Sequence, residues 1–181
     1  TLMKDEAIED ISITEIVQTA DLSRRTFYRA FTTKDDLIDY LCRQLADDYF
    51  KSLKAATRDQ TPISFATTMQ NFFTFWWQQK DLVRLLIRQG LFDRLNGVWQ
   101  QNAVAHYRDF PAPWHPQGTD QEVNYIMAFA LGGLTNILRL WLVQAHPESP
   151  EEIQRFAQAS FAQLARSLGG GENNEPHEAQ G

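Results

Sequence analysis

Residues 12–40 read SITEIVQTADLSRRTFYRAFTTKDDLIDY, and this stretch decides the fold. Ile13, Ile16, Val17 and Ala20 recur at i, i+3, i+4 and i+7, the spacing of one helix face. Ser12 and Glu15 match the S-x-x-E capping box, in which each side chain satisfies a backbone N–H that the helix leaves unpaired. Ile11 and Ile16 sit where a hydrophobic staple belongs. A helix over about 13–20 is expected. Asp21-Leu22 makes a short turn, Ser23 caps a second helix running through Phe31, and Thr33 with Asp36 caps a third. Leu37, Leu41, Leu45 and Tyr49 carry that third helix to about Ala55.

Two short helices joined by a tight turn are the layout of a helix-turn-helix, whose second helix enters the major groove of DNA. On that helix Phe27 and Phe31 are i, i+4 and define the core face. Arg25 and Arg29 fall about 160° and 200° from Phe27, so they point outwards, while Tyr28 and Thr26 lie on the two shoulders. A guanidinium pairs bidentately with guanine O6 and N7, and flanking hydroxyls suit phosphate oxygens. The net charge of −6 argues against a protein that coats nucleic acid generally, yet residues 22–34 hold Arg24, Arg25, Arg29 and Lys34 and no acid. That is a directed basic patch in an acidic chain.

The run ITEIVQTADLSRRTFYRAFTTKDDL, about residues 11–40, resembles the N-terminal signature of the TetR family of transcriptional regulators. The resemblance implies operator binding as a homodimer, mostly as a repressor that an effector in the C-terminal domain releases. Carried over position by position, it implies DNA contacts from Arg24, Arg25, Thr26, Tyr28, Arg29 and Lys34. The turn residue, usually glycine in the family, is Asp21 here, which tolerates left-handed backbone at some cost. The family's first helix is longer and carries a basic arm, whereas only Thr1 to Ile8 precede this motif, so that helix reads as truncated.

Outward from the motif the pattern stays helical, over about 62–79 with Pro62 in its first turn, then 80–90, 92–109, 119–145 and 149–168. PAPWHPQG at 111–118 is a Pro/Gly-rich loop. Three units follow: a helix-turn-helix domain at 1–50, a sensing and dimerising helical domain at 51–168, and a flexible tail at 169–181 with almost no apolar content. The fold class is all-α.

Catalytic chemistry is not legible. His106, His115, His146 and His177 have no helical partner at i+3 or i+4, and no phosphate-binding glycine loop or nucleophile elbow occurs. The single cysteine, Cys42, excludes an internal disulfide and paired-cysteine zinc sites. It reads as a packed thiol rather than a redox switch. We therefore expect no enzyme activity, no cofactor and no metal. The N-terminal segment is not a signal peptide. Ile126–Val143 is near the minimum for a membrane span, but Asn136, Arg139 and the tandem Gly132 and Gly133 make it read as a buried helix of a soluble protein, and a cytoplasmic location is expected.

Two features of the second domain invite function. In FATTMQNFFTFWWQQ, Phe65, Met69, Phe72, Phe73 and Trp76 cover one broad face, with Phe75 and Trp77 widening it. This is either plain bundle core or a pocket for a small apolar effector, with Phe72, Phe73, Trp76, Trp99 and Tyr107 as its walls. In MAFALGGLTNILRLWLV, two glycines cost up to about 1 kcal/mol each against alanine, so close approach of another helix is expected. With the last helix this predicts a self-complementary interface using Gly132, Gly133, Leu134, Ile137, Trp141 and Phe161. The rival readings are a regulator whose second domain docks a regulatory protein, and a helical interaction module without DNA binding.

Overall fold

The computed structural model describes residues 2–109 and 112–169. A 3-10 turn, Leu2–Lys4, leads into α1 (Ile13–Thr19), α2 (Arg24–Ala30), α3 (Lys34–Ala56), α4 (Phe65–Gln78), α5 (Lys80–Arg88), α6 (Phe92–Asp109), α7 (Asp120–Leu142) and α8 (Pro150–Gly169). No strand occurs among the described residues. The architecture is all-α. Except for Gly169, the expected tail lies outside the described residues.

Local chemistry sets the first boundaries. The Ser12/Glu15 and Thr33/Asp36 capping boxes both form. Ser12 pulls the Glu15 carboxyl below its ordinary range by hydrogen bonding. The backbone N–H groups of Thr33 and Thr32 do the same to Asp36. Asp21 takes φ 53°, the left-handed turn that the sequence demanded of it. Pro62 lies in the connection before α4, not in its first turn. There Gln60 holds the entry, accepting from the Ser64 N–H at 3.1 Å and donating to Thr67 Oγ1 at 3.0 Å.

The expected boundary at residue 50 falls inside α3, which is continuous for 23 residues. One cluster of buried side chains runs from Ile8 and Ile11 through Ile38 and Cys42 to Ile153 and Ala157. The two units therefore share both a helix and a core. Cys42 is fully buried, and desolvation pushes its thiol pKa up.

At the centre sits Tyr49 of α3. Its ring stacks on Trp76 at 5.8 Å and meets Phe72, Phe75 and Trp99 edge-on at 5.5–6.0 Å. Edge and offset contacts of this kind add to simple area burial. Burial raises the Tyr49 hydroxyl well above its ordinary pKa. The helices around it pack α3 on α6 and α4, and α4 on α8.

Two side chains tie the N-terminal unit to the second. Gln89, just past α5, donates to the Met3 and Glu6 carbonyls at 2.7 and 2.9 Å and accepts from the Ile8 N–H at 2.9 Å. Arg94 of α6 reaches Asp35 at 2.9 Å and Asp39 at 3.6 Å, both on α3.

Candidate functional site

The recognition helix is built from its cap outward. Ser23 Oγ accepts the Thr26 N–H at 3.0 Å, which starts α2. Phe27 is 5% exposed, and it meets Tyr28 edge-on at 5.4 Å and Phe31 at 5.6 Å. With Phe27 pinned inward, the 100° step of the helix turns Arg25 and Arg29 away from the body. Both are exposed. Neither has a hydrogen bond or ion pair among the described residues, so their guanidinium donors are uncommitted. Tyr28 is 48% exposed beside them.

The other residues expected at DNA are partly committed within the fold. Arg24 lies 6.0 Å from the Tyr28 ring centroid, with a long 3.5 Å contact to Thr14 of α1. Thr26 shares its hydroxyl with Ser23 at 2.9 Å. Lys34 departs from expectation. Its ammonium donates to the carbonyls of Glu9 at 3.0 Å and Ile11 at 2.7 Å, and also to that of Ile8. An ammonium has three donors and all three are used, so Lys34 clamps the segment before α1 onto α3 instead of facing a phosphate. No local pattern announces such a contact, because its partners lie more than twenty residues away.

A cavity of about 880 Å³ opens between α3, α4, α6 and α7. Of the five side chains expected to wall an effector pocket, Trp99 and Tyr107 do line it. Phe72, Phe73 and Trp76 do not: they are at most 1% exposed and fill the core further along the same face of α4. The wall of α4 is instead Phe65, Thr68 and Met69. The sequence reading missed the contribution of α3 and the turn after it, from Tyr49 and Phe50 to Thr57 and Arg58. It also missed the loop before α7, where Trp114 donates to the Ile63 carbonyl at 3.1 Å and meets Phe65 at 5.2 Å. His115 stacks on Tyr107 at 4.2 Å, and burial lowers its pKa.

The expected dimer residues also divide. Leu134 and Trp141 belong to the subunit's own core, Trp141 stacking on Trp77 at 5.3 Å and donating to the Glu148 carbonyl at 3.0 Å. Ile137, Gly132 and Phe161 are half-buried and Gly133 is exposed. A Cβ on either glycine would meet nothing within 4 Å, so no helix of this subunit approaches them. The open stripe is instead Ile126, Phe129, Gly133 and Leu140 on α7, joined by Phe156 and Leu164 of α8. The expectation of a buried Ile126–Val143 helix is corrected accordingly. By length and composition α7 could cross a membrane, and only 28% of its most apolar window is buried.

A short capped helix, a left-handed turn and a second helix presenting two free arginines define a helix-turn-helix DNA-binding domain. Residues 1–41 match the family described as bacterial regulatory proteins, tetR family. This N-terminal segment is thus similar to the DNA-binding domain of that family. Neither the curated proteins nor the solved structures hold a match to the chain.

Proposed function

We propose that the protein is a repressor that binds a palindromic operator as a homodimer in the cytoplasm and is released by an effector entering the α3–α4–α6–α7 cavity. The observation that carries this reading is the pair Arg25 and Arg29, outward and uncommitted on a helix anchored by Phe27, within the segment that matches the family. Two recognition helices related by a two-fold axis read two half-sites, hence the palindrome. The open stripe of α7 and α8 supplies a face for the second copy, four helices meeting across the axis.

Release requires the effector to bind the DNA-incompetent form more tightly than the competent one. The route is α6. It carries Trp99 and Tyr107 on the cavity and Arg94 against Asp35 and Asp39. A shift of α6 on occupancy pulls on α3, whose N-terminal turn follows the recognition helix directly.

A regulatory protein seated on the α7–α8 stripe is the second reading, favoured by the same exposed Phe129, Leu140 and Phe156. Sedimentation equilibrium separates the two, since a dimer of the pure chain occupies that face. An interaction module without DNA binding is separated by salt, because phosphate contacts make affinity fall steeply as salt rises.

The test is selection of binding sites from random duplex DNA. A palindromic consensus, relaxed by Arg25→Ala at one position per half-site and costing about 1–3 kcal/mol there, supports the reading. No enrichment at low salt from a folded dimer overturns it.

A further inference from the structure

We propose that the cavity takes an amphipathic monoanion, a carboxylate on an apolar body, with the carboxylate held at the α3 rim by Lys54 and Arg58. The proposal rests on the effector reading above and names the chemistry of that effector. At the end of α3 and in the turn after it, Leu53 and Thr57 are buried while Lys54 and Arg58 are exposed, and all four line the cavity. Lys54 stands in the last turn of α3 and Arg58 in the turn that follows its C-cap, Thr57, so both cations edge the same end of the cavity. Among the described residues neither has an ion-pair partner. Lys51, also at the rim, is paired with Asp48 at 2.9 Å. Asp47 is the one carboxylate among the described lining residues, and Asn102 donates toward it at 3.4 Å.

Behind that rim the wall is built of rings and aliphatic groups: Phe50, Phe65, Met69, Trp99, Trp114 and Leu131. The histidines near the mouth are engaged with rings, His106 on Phe50 at 4.6 Å and His115 on Tyr107. The cavity is thus polarised, with cations at one edge and no cation deeper in. A charged group carried inside would be desolvated without a partner. A cationic ligand would meet like charge at the rim. A neutral apolar ligand would leave both cations unused. An anionic head with an apolar tail satisfies both halves, and a guanidinium accepts a carboxylate in bidentate geometry. The stems of Lys54 and Arg58 extend the apolar wall while their heads stay wet.

The experiment titrates the full chain with decanoate, decan-1-ol and decyltrimethylammonium, following heat and the emission of Trp99 and Trp114. Decanoate is expected to bind at least about ten-fold more tightly than either control. Lys54→Gln with Arg58→Gln weakens decanoate about ten-fold and leaves decan-1-ol unchanged. Raising salt weakens decanoate alone. Circular dichroism checks that the double variant, altered only at exposed positions, keeps its fold. Decan-1-ol binding as tightly as decanoate, or decanoate indifferent to the double substitution, overturns the carboxylate assignment while the cavity still stands as an effector site. Binding of none of the three overturns both.

Discussion

Helices α2 and α4 are both rich in rings and use them in opposite ways. In α2 one buried ring, Phe27, fixes the rotation, and what matters for function is the polar face that this leaves outside. In α4 four of the six rings are buried, and the two ends of its apolar face look at different things. Phe72, Phe73 and Trp76 face solid core, while Phe65, Thr68 and Met69 face a cavity. A helix with a single apolar stripe has one possible rotation, so its exposed residues can be read directly. A broad apolar face does not declare where along its length it meets protein and where it meets empty space.

The comparison breaks most sharply by truncating one ring towards each end of that face of α4. Phe72→Ala leaves a void in close-packed core and is expected to cost about 3–5 kcal/mol. Phe65→Ala, at a partly exposed wall, costs under about 1 kcal/mol. Chemical denaturation measures both, and equal losses would mean that the N-terminal end of that face is not open.

The outer face of α7 comes next. Leu140→Glu places a charge in the exposed apolar stripe and is expected to shift the purified chain from dimer to monomer in sedimentation equilibrium. DNA affinity then falls with it, by about 2 kcal/mol or more. A variant that stays dimeric would move the interface elsewhere.

Within the N-terminal unit, Lys34 and Arg29 sharpen the division between structural and reading cations. Lys34→Met strips three carbonyls of their donor and should cost about 1–3 kcal/mol of stability, leaving sequence preference on DNA intact. Arg29→Ala should do the reverse, keeping the melting curve and relaxing the consensus. The smallest effect belongs to the turn. Asp21→Gly relieves a left-handed L-residue and should stabilise by about 0.5 kcal/mol, seen as a higher denaturation midpoint.

How much was legible follows from how far each contact reaches along the chain. The capping boxes at Ser12 and Thr33, the left-handed Asp21 and the outward arginines all depend on residues within four positions, and the sequence pattern contained them. Lys34 was read as a phosphate contact because its true partners, the carbonyls of Ile8, Glu9 and Ile11, are brought to it only by the fold. Leu134 and Trp141 were read as interface for a similar reason. They adjoin the exposed stripe in helical projection, yet both are buried within the subunit, Trp141 against Phe73 and Trp77 of α4 and Leu134 at the cavity wall. No local motif marks Lys54 and Arg58, and on the reading proposed above it is the cavity beside them that gives their charge a use.

Phe129 belongs to two surfaces at once: it is 66% exposed on the α7 stripe and it lines the cavity. Two partners that touch the same side chain do not bind independently. On the reading proposed above, whatever factor a second subunit imposes on effector affinity, the effector imposes on subunit association, because the coupling free energy between two binding events is one quantity read from either end. Dimer strength measured with and without effector would then report the same number as effector affinity measured in monomer and dimer, with the Phe129 ring as the joint between them.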